Sequence, residues 1–201
     1  MKNKKKINDY KNELALANDH NINGKFVDAA KIYTNLIKKR PDCHEAYYGL
    51  GVIYAQLGED KTAENYFLKS ISYKKSNAEY FHALATVCFR SISNQKALEY
   101  CEKSISISGE TSHNLVLKGN ILIKEGRSDE ALYCYNKSIE YDNSNPESYY
   151  NLGNFYKNNL NLDMAILYYN KCIDLKHDHN DAQWNNCLLY TSDAADDTPC
   201  V

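Results

Sequence analysis

The chain has 201 residues, of which 24 are lysine or arginine and 26 are aspartate or glutamate, giving a formal net charge of -2. This balance creates no overall field for nucleic acid or an anionic membrane, so the charge argues against a generic polyanion binder. No run approaches the roughly 18 apolar residues that a membrane helix needs, and no apolar stretch follows the basic start as it would in a secretory signal. We therefore expect a cytoplasmic protein.

The N-terminal segment, residues 1–9, reads MKNKKKIND. It is polar and cationic, and no helical period of apolar residues runs through it. Chain ends of this kind are poorly ordered unless something ties them down. We expect disorder up to Tyr10, where the first repeat begins.

A period of 34 residues runs through the chain from residue 10. An alanine recurs at this interval, and an isoleucine follows each alanine by 8 residues. A fixed period of this size means that one supersecondary unit is copied in tandem. The alanines are Ala29, Ala63, Ala97, Ala131 and Ala165, and the predicted repeats are residues 10–43, 44–77, 78–111, 112–145 and 146–179.

Each repeat divides into two segments with helical spacing. In the second repeat, Tyr47, Leu50 and Tyr54 recur at i, i+3 and i+7, which marks one stripe of an α-helix. Ala63 and Phe67 mark a second stripe further along. The pattern therefore predicts a helix, a turn and a second helix in every repeat.

The turns between the paired helices carry a glycine in three of the repeats. Gly24, Gly58 and Gly126 share this place, where a glycine can adopt positive φ and end the first helix. Ile92 and Leu160 stand there in the third and fifth repeats. We expect those two turns to have a different geometry.

Small residues mark the place where the two helices of a repeat would cross. Position 20 of each repeat is the recurring alanine, so the helices can approach closely there. Position 8 is also small, and it holds Ala17, Gly51, Ala85, Gly119 and Gly153.

These features resemble the tetratricopeptide repeat (TPR), a family with an aromatic residue at position 4, Leu at 7, Gly or Ala at 8, Tyr at 11, Ala at 20 and an aromatic residue at 24. The resemblance covers residues 10–186, although Cys88 and Cys101 occupy aromatic positions in the third repeat. It implies an all-α fold, an α-α superhelix built as a right-handed solenoid of antiparallel helix pairs. The fifth repeat matches through Tyr149, Leu152, Gly153, Tyr156, Ala165 and Tyr169.

The end of the chain departs from the repeat pattern. Residues 180–186 begin like another first helix, with Ala182 and Trp184 available to cover the last pair. Residues 187–201 lose the period and resemble the translation of sequencing-adapter read-through at the end of a truncated gene. We expect this tail to be artefactual and the chain to be a fragment. Since solenoid ends need polar caps, an uncapped C-terminal end would favour self-association.

No group of residues indicates catalysis or a cofactor. His177, Asp178 and His179 have the chemistry of metal ligands, but no further ligand follows at a suitable spacing. The cysteines form no CxxC pair and mostly fall at apolar positions, so we expect reduced structural thiols. The sequence thus predicts no enzyme activity, no cofactor and no metal.

The TPR resemblance also implies a binding groove, lined by positions 2, 5, 9, 12 and 13 of the first helices. The predicted lining combines amide, aromatic and cationic side chains, which suit an extended peptide. Arg90, Lys124 and Lys157 favour an acidic ligand. The lining residues are Asn18, Tyr48, Val52, Gln56, His82, Thr86, Phe89, Arg90, Asn120, Lys124, Tyr150, Asn154, Lys157 and Asn158.

The predicted function is a protein-interaction scaffold that binds a partner segment in this groove. The alternative is the substrate-recognition region of a truncated enzyme, such as a glycosyltransferase similar to the peptide O-GlcNAc transferases, although their position-6 asparagine occurs only at Asn151. A third class comprises helical repeats that read RNA one base per repeat. The strict 34-residue period and negative net charge argue against it, so the expected partner is a protein or peptide.

Overall fold

The structure, a computed structural model, describes the backbone of residues 2–193 and the side chains of residues 9–189. This part of the chain is all-α, as the repeat pattern predicts. Its helices are α1 (Lys2–Ile22), α2 (Phe26–Lys39), α3 (His44–Gln56), α4 (Asp60–Tyr73), α5 (Ala78–Arg90), α6 (Asn94–Ser108), α7 (Ser112–Lys124), α8 (Ser128–Tyr141), α9 (Pro146–Asn158), α10 (Leu162–Leu175) and α11 (Asn180–Asp193).

The helices group into two compact units where the sequence predicts one uninterrupted array. We call α1 to α6 the N-terminal module, which ends at Gly109, and α7 to α11 the C-terminal module, which begins at Glu110. The sequence signal for this boundary is Gly109 itself. Its φ of 79° and ψ of 178° belong to a region that is essentially restricted to glycine, and α6 ends there.

Each repeat is a pair of packed helices, an A helix followed by a B helix. The A helices are the odd-numbered α1 to α9, the B helices are the even-numbered ones, and α11 begins as a further A helix. The recurring alanine of every B helix is fully buried at the crossing. A methyl group on Gly153 would lie 2.5 Å from the Tyr169 ring, and one on Gly51 would lie 2.5 Å from the Phe67 ring. Close approach at the crossing therefore explains the small residues at position 8.

The last residue of the second, third and fourth repeats caps the A helix that follows. The side chain of Asn77 accepts a hydrogen bond from the backbone N–H of Glu79 at 3.0 Å, and Asn145 does the same for Glu147 at 3.1 Å. Thr111 forms a capping box with Asn114. Such caps satisfy amide groups that the helix itself leaves without partners.

The expectation of a different turn at Ile92 and Leu160 is wrong. Both residues adopt the left-handed conformation, with φ of 59° and 58°, as the turn glycines do. The N–H of Ser93 bonds the Cys88 carbonyl at 2.9 Å, the same closing bond that Glu59 makes to Tyr54 at 2.9 Å in a glycine turn. Packing of the paired helices therefore imposes one turn geometry, despite the steric cost of a side chain there.

The helices extend further at both ends than the sequence predicts. Residues 2–9, expected to be disordered, form the start of α1, because adding residues to an existing helix gains a hydrogen bond for each residue fixed. At the other end, α11 continues past residue 186, where the repeat pattern stops, to Asp193. Residues 194–201 of the predicted tail and Met1 lie outside the described residues.

The buried thiols largely agree with the sequence prediction. Five cysteines are buried and form no disulfide: Cys43, Cys88, Cys101, Cys134 and Cys172. Cys187 is disulfide-bonded, so the prediction of a reduced thiol is wrong for Cys187. Burial raises the pKa of Cys88 and of Cys172 to about 11. No helix within residues 2–193 has both the length and the apolar character needed to cross a bilayer.

Candidate functional site

The A helices of the N-terminal module enclose a pocket of about 520 Å³. Three of the predicted groove residues line it: Asn18 of α1, and Tyr48 and Val52 of α3. A volume of this size falls in the range of ligand pockets. We call it the N-terminal pocket; its wall also includes Asn21, Tyr33, His44, Glu45, Lys74, Glu79 and Tyr80.

Aromatic rings form one wall of the N-terminal pocket. The rings of Tyr48 and Tyr80 stack with centroids 4.7 Å apart and planes inclined by 26°. The Tyr48 ring also packs against Phe67, at 5.6 Å between centroids. Phe67 is fully buried on α4, so Tyr48 rests on the core of its own repeat.

Two carboxylates, which the predicted site did not include, stand beside these rings. The Tyr48 hydroxyl donates to Glu79 Oε1 at 3.0 Å, and the Tyr10 hydroxyl donates to Glu45 Oε2 at 2.9 Å. Burial, and then the negative charges of Glu45 and Glu79, raise the pKa of Tyr80 to about 12. The pocket wall is therefore electronegative around Tyr80.

A recurrent acidic residue at position 2 was the signal that could have revealed these carboxylates. Position 2 belongs to the groove phase that the resemblance implies, and it holds Glu45, Glu79, Glu147 and Asp181 in four A helices. Acidic residues near a helix N-terminus are also favoured by the helix dipole. Because the helix dipole alone accounts for these residues, the sequence gives no reason to assign them to the site.

The predicted asparagines have a structural partner. The hydroxyl of Tyr33 donates to Asn18 Oδ1 at 2.7 Å, and Asn120 and Asn154 accept from the tyrosine at the same place in their repeats at 2.8 Å. In these three repeats the bond joins position 24, on the B helix, to position 9, on the A helix. The amide oxygen of each asparagine is therefore used within its own repeat. The amide NH₂ group is the part of the side chain that can donate to a ligand.

The predicted cations are less available than the sequence suggests. The Arg90 guanidinium bonds the Asp60 carboxylate through Nη2 and Nε, and it donates from Nη2 to the Ala55 carbonyl at 3.0 Å. It thus ties α5 to the end of α3 and the start of α4. In the C-terminal module, Lys157 Nζ donates to Asn185 Oδ1 at 3.1 Å.

The remaining predicted residues fall into separate places. Gln56 is exposed at the end of α3, and Lys124 is exposed at the end of α7. On α5, the Thr86 hydroxyl donates to the His82 carbonyl at 3.0 Å, which turns it toward its own helix. The groove residues of the N-terminal module are therefore brought together only in part.

A second polar cluster lies in the C-terminal module, between α9 and α11. Asn185 Nδ2 donates to Asn154 Oδ1 at 3.4 Å while its own oxygen accepts from Lys157. The Tyr150 ring stands 4.7 Å from the His179 ring. Asn185 and His179 were not among the predicted site residues, since they lie where the repeat pattern ends.

His179 has a structural role in this cluster. It is buried, and its Nδ1 accepts from the backbone N–H of Ala182 at 3.2 Å, so it caps α11. Nε2 then carries the ring proton and lies 3.4 Å from a Glu147 oxygen. Among the described residues, no group of three potential ligands could hold a metal ion.

Fold and surface together define a helical-repeat protein. Family models described as "Tetratricopeptide repeat" match residues 14–79 and 146–179, and one described as "TPR repeat" matches residues 119–159. The chain belongs to the tetratricopeptide repeat family. No curated protein matches the sequence at a significant level.

Solved structures agree with this assignment. The chain is similar to YrrB, described as a TPR protein with an unusual peptide-binding site, at 26% identity over 85% of this chain and 88% of YrrB, with a TM-score of 0.65. PilW, described as a type IV pilus biogenesis factor, shares the fold at 18% identity, covering 91% of this chain and 85% of PilW with a TM-score of 0.82. A thermophilic TPR protein of Thermus thermophilus does so at 17% identity, covering 90% of this chain and 98% of that protein with a TM-score of 0.75.

Proposed function

We propose that the protein is an interaction scaffold whose N-terminal pocket holds an extended segment of a protein partner. The scaffold acts by binding, and we assign no reaction to it. The observation that carries the proposal is the pocket itself, in which side chains from α1, α3 and α5 converge on one space of about 520 Å³.

The chemistry of the wall supports a peptide as the occupant. The Asn18 amide is oriented by Tyr33, so its NH₂ group can donate to a peptide carbonyl. The partly exposed Tyr48 ring, backed by the buried Tyr80 ring, offers aromatic surface for a side chain. A pocket that is mostly preformed, with a few polar groups that fix orientation, is typical of specific binding sites.

The similarity to YrrB points the same way. YrrB is described as having a peptide-binding site, and the chain covers 88% of its length. We infer that the N-terminal pocket of this chain also binds a peptide. The acidic ligand expected from Arg90, Lys124 and Lys157 loses support in the N-terminal module, because Arg90 is already paired with Asp60.

A cytoplasmic location and self-association through the C-terminal end are two further proposals. Reduced, buried thiols are typical of a cytoplasmic protein, and five cysteines are of this kind. Self-association through α11 is supported by Trp184, whose side chain is 66% exposed.

A peptide selection with a matched pair of variants tests the scaffold proposal. The purified chain is used to select binders from a random dodecapeptide display library, and affinities are measured by fluorescence polarisation. Val52→Tyr fills the pocket from α3, whereas Val27→Tyr places the same ring at an exposed position of α2. We expect Val52→Tyr to weaken binding by about tenfold or more, or roughly 1.4 kcal/mol, and Val27→Tyr to leave it unchanged.

Far-UV circular dichroism and urea denaturation check that both variants remain folded. Equal affinities for the folded Val52→Tyr variant and the parent chain would remove the pocket as the binding surface. A library that yields no binder to the parent chain would contradict the scaffold proposal.

A further inference from the structure

We propose that the N-terminal pocket is specific for a basic side chain, the guanidinium or ammonium group of an arginine or lysine in the partner segment. This inference rests on the proposed peptide-binding function and names the residue class that the pocket selects. It is the opposite charge preference from the one that the sequence suggests for the groove as a whole.

The charged residues of the pocket wall are the first argument for a basic ligand. Glu45 and Glu79 belong to neighbouring A helices, and each is held by one tyrosine hydroxyl, from Tyr10 and Tyr48 respectively. Lys74 is the only lysine or arginine among the described residues of the wall, so the two carboxylates outnumber it. His44 also lies in the wall, with its Nδ1 2.8 Å from the Tyr80 hydroxyl and 3.3 Å from Glu45 Oε2.

The remaining oxygen atoms are suited to receive donors. Within the side chains that the structure describes, no donor is seen at Glu79 Oε2 or Glu45 Oε1, since the tyrosine bonds use the other oxygen of each carboxylate. Asn21 Oδ1, in the same wall, is a buried acceptor with no partner among the described residues. A wall rich in acceptors fits a donor-rich ligand, and guanidinium and ammonium groups carry only donors.

The aromatic rings of the pocket wall are the second argument for a basic ligand. The partly exposed Tyr48 ring stacks on the buried Tyr80 ring and lies in the pocket wall beside Glu79, so the accessible ring face belongs to Tyr48. A cation above such a face is attracted by the ring quadrupole, while the apolar stem of the same side chain packs against the ring. An acidic side chain would meet repulsion from the carboxylates and gain nothing from the rings.

The test uses the dodecapeptide selection with a charge-matched pair of double variants. Glu45→Gln with Glu79→Gln removes both charges but keeps an oxygen that can accept from Tyr10 and Tyr48. Glu59→Gln with Glu99→Gln removes the same net charge outside the pocket. We expect the selected peptides to share an arginine or lysine, and the first double variant to bind them about tenfold or more weakly, while the second matches the parent.

A second probe is the same peptide with its basic residue replaced by citrulline or norleucine. We expect the neutral peptide to bind the parent weakly and to be insensitive to the pocket variant. Selected peptides without a shared basic residue would overturn the charge preference and leave the scaffold proposal standing, as would equal losses in both double variants. Failure to select any peptide would contradict both proposals, so the two failures are distinguishable.

Discussion

The two modules build the same helix crossing from different side chains. In the C-terminal module, both repeats join position 24 to position 9 by a tyrosine-to-asparagine hydrogen bond, as Tyr169 does to Asn154. In the N-terminal module only the first repeat does so. The second repeat has Phe67 opposite Val52, and the third has Cys101 opposite Thr86.

The difference shows what the asparagine at position 9 is for. A ring at position 24 fills the space above a small residue at position 8, and it is buried in four repeats. When that ring carries a hydroxyl, the hydroxyl needs an acceptor, because a buried polar group without a partner is costly. When the ring is Phe67, position 9 is apolar. Position 9 therefore has a structural role at the crossing, and the proposed contact with a ligand is additional to it.

Removing the position-24 side chain should produce the largest effect in this comparison. Phe67→Ala and Tyr169→Ala each delete a fully buried ring, and we expect each to lower the free energy of unfolding by about 3–5 kcal/mol. Cys101→Ala deletes one buried atom and should cost about 1 kcal/mol. Urea denaturation measures all three free energies of unfolding. If Cys101→Ala lowered this free energy as much as the loss of a ring does, position 24 of the third repeat would contribute more to packing than its small side chain suggests.

Converting one crossing into the other should produce an intermediate effect. Asn154→Val leaves the buried Tyr169 hydroxyl without its acceptor and should lower the free energy of unfolding by about 1–3 kcal/mol. Adding Tyr169→Phe reproduces the pair of the second repeat, so the double variant should be more stable than Asn154→Val alone. The double-mutant cycle then yields a coupling energy of about 1 kcal/mol or more.

A matched control for this cycle is Asn158→Val, an exposed position of the same helix. It should change the free energy of unfolding by less than about 0.5 kcal/mol. Additive effects of Asn154→Val and Tyr169→Phe would mean that the hydrogen bond between them contributes little, and the interpretation of position 9 would fail.

The 34-residue period predicts most of the fold but fewer of the residues that line the candidate site. The period predicts every A and B helix, since close packing at each crossing demands small residues at fixed positions. It fails at Ile92 and Leu160, because a packed helix pair can impose a turn that a local glycine rule does not foresee. It also does not single out Glu45 and Glu79, which line the N-terminal pocket, because their acidic side chains have an ordinary explanation as helix N-terminal residues. Side-chain partners such as Asp60 for Arg90 depend on contacts between helices, which a one-dimensional pattern does not contain.

The smallest expected effect concerns Arg90, where the sequence and the structure assign different roles. The sequence predicts a ligand-binding cation, whereas in the N-terminal module its guanidinium is held by the Asp60 carboxylate and the Ala55 carbonyl. Arg90→Gln should therefore lower the free energy of unfolding by about 0.5–1 kcal/mol, a modest value because the guanidinium is partly exposed. Lys96→Gln, which removes the same charge from an exposed site on α6, should change it by less than about 0.5 kcal/mol. If Arg90→Gln instead leaves stability unchanged but weakens the binding of acidic peptides, its partner is the ligand and the sequence assignment is the correct one.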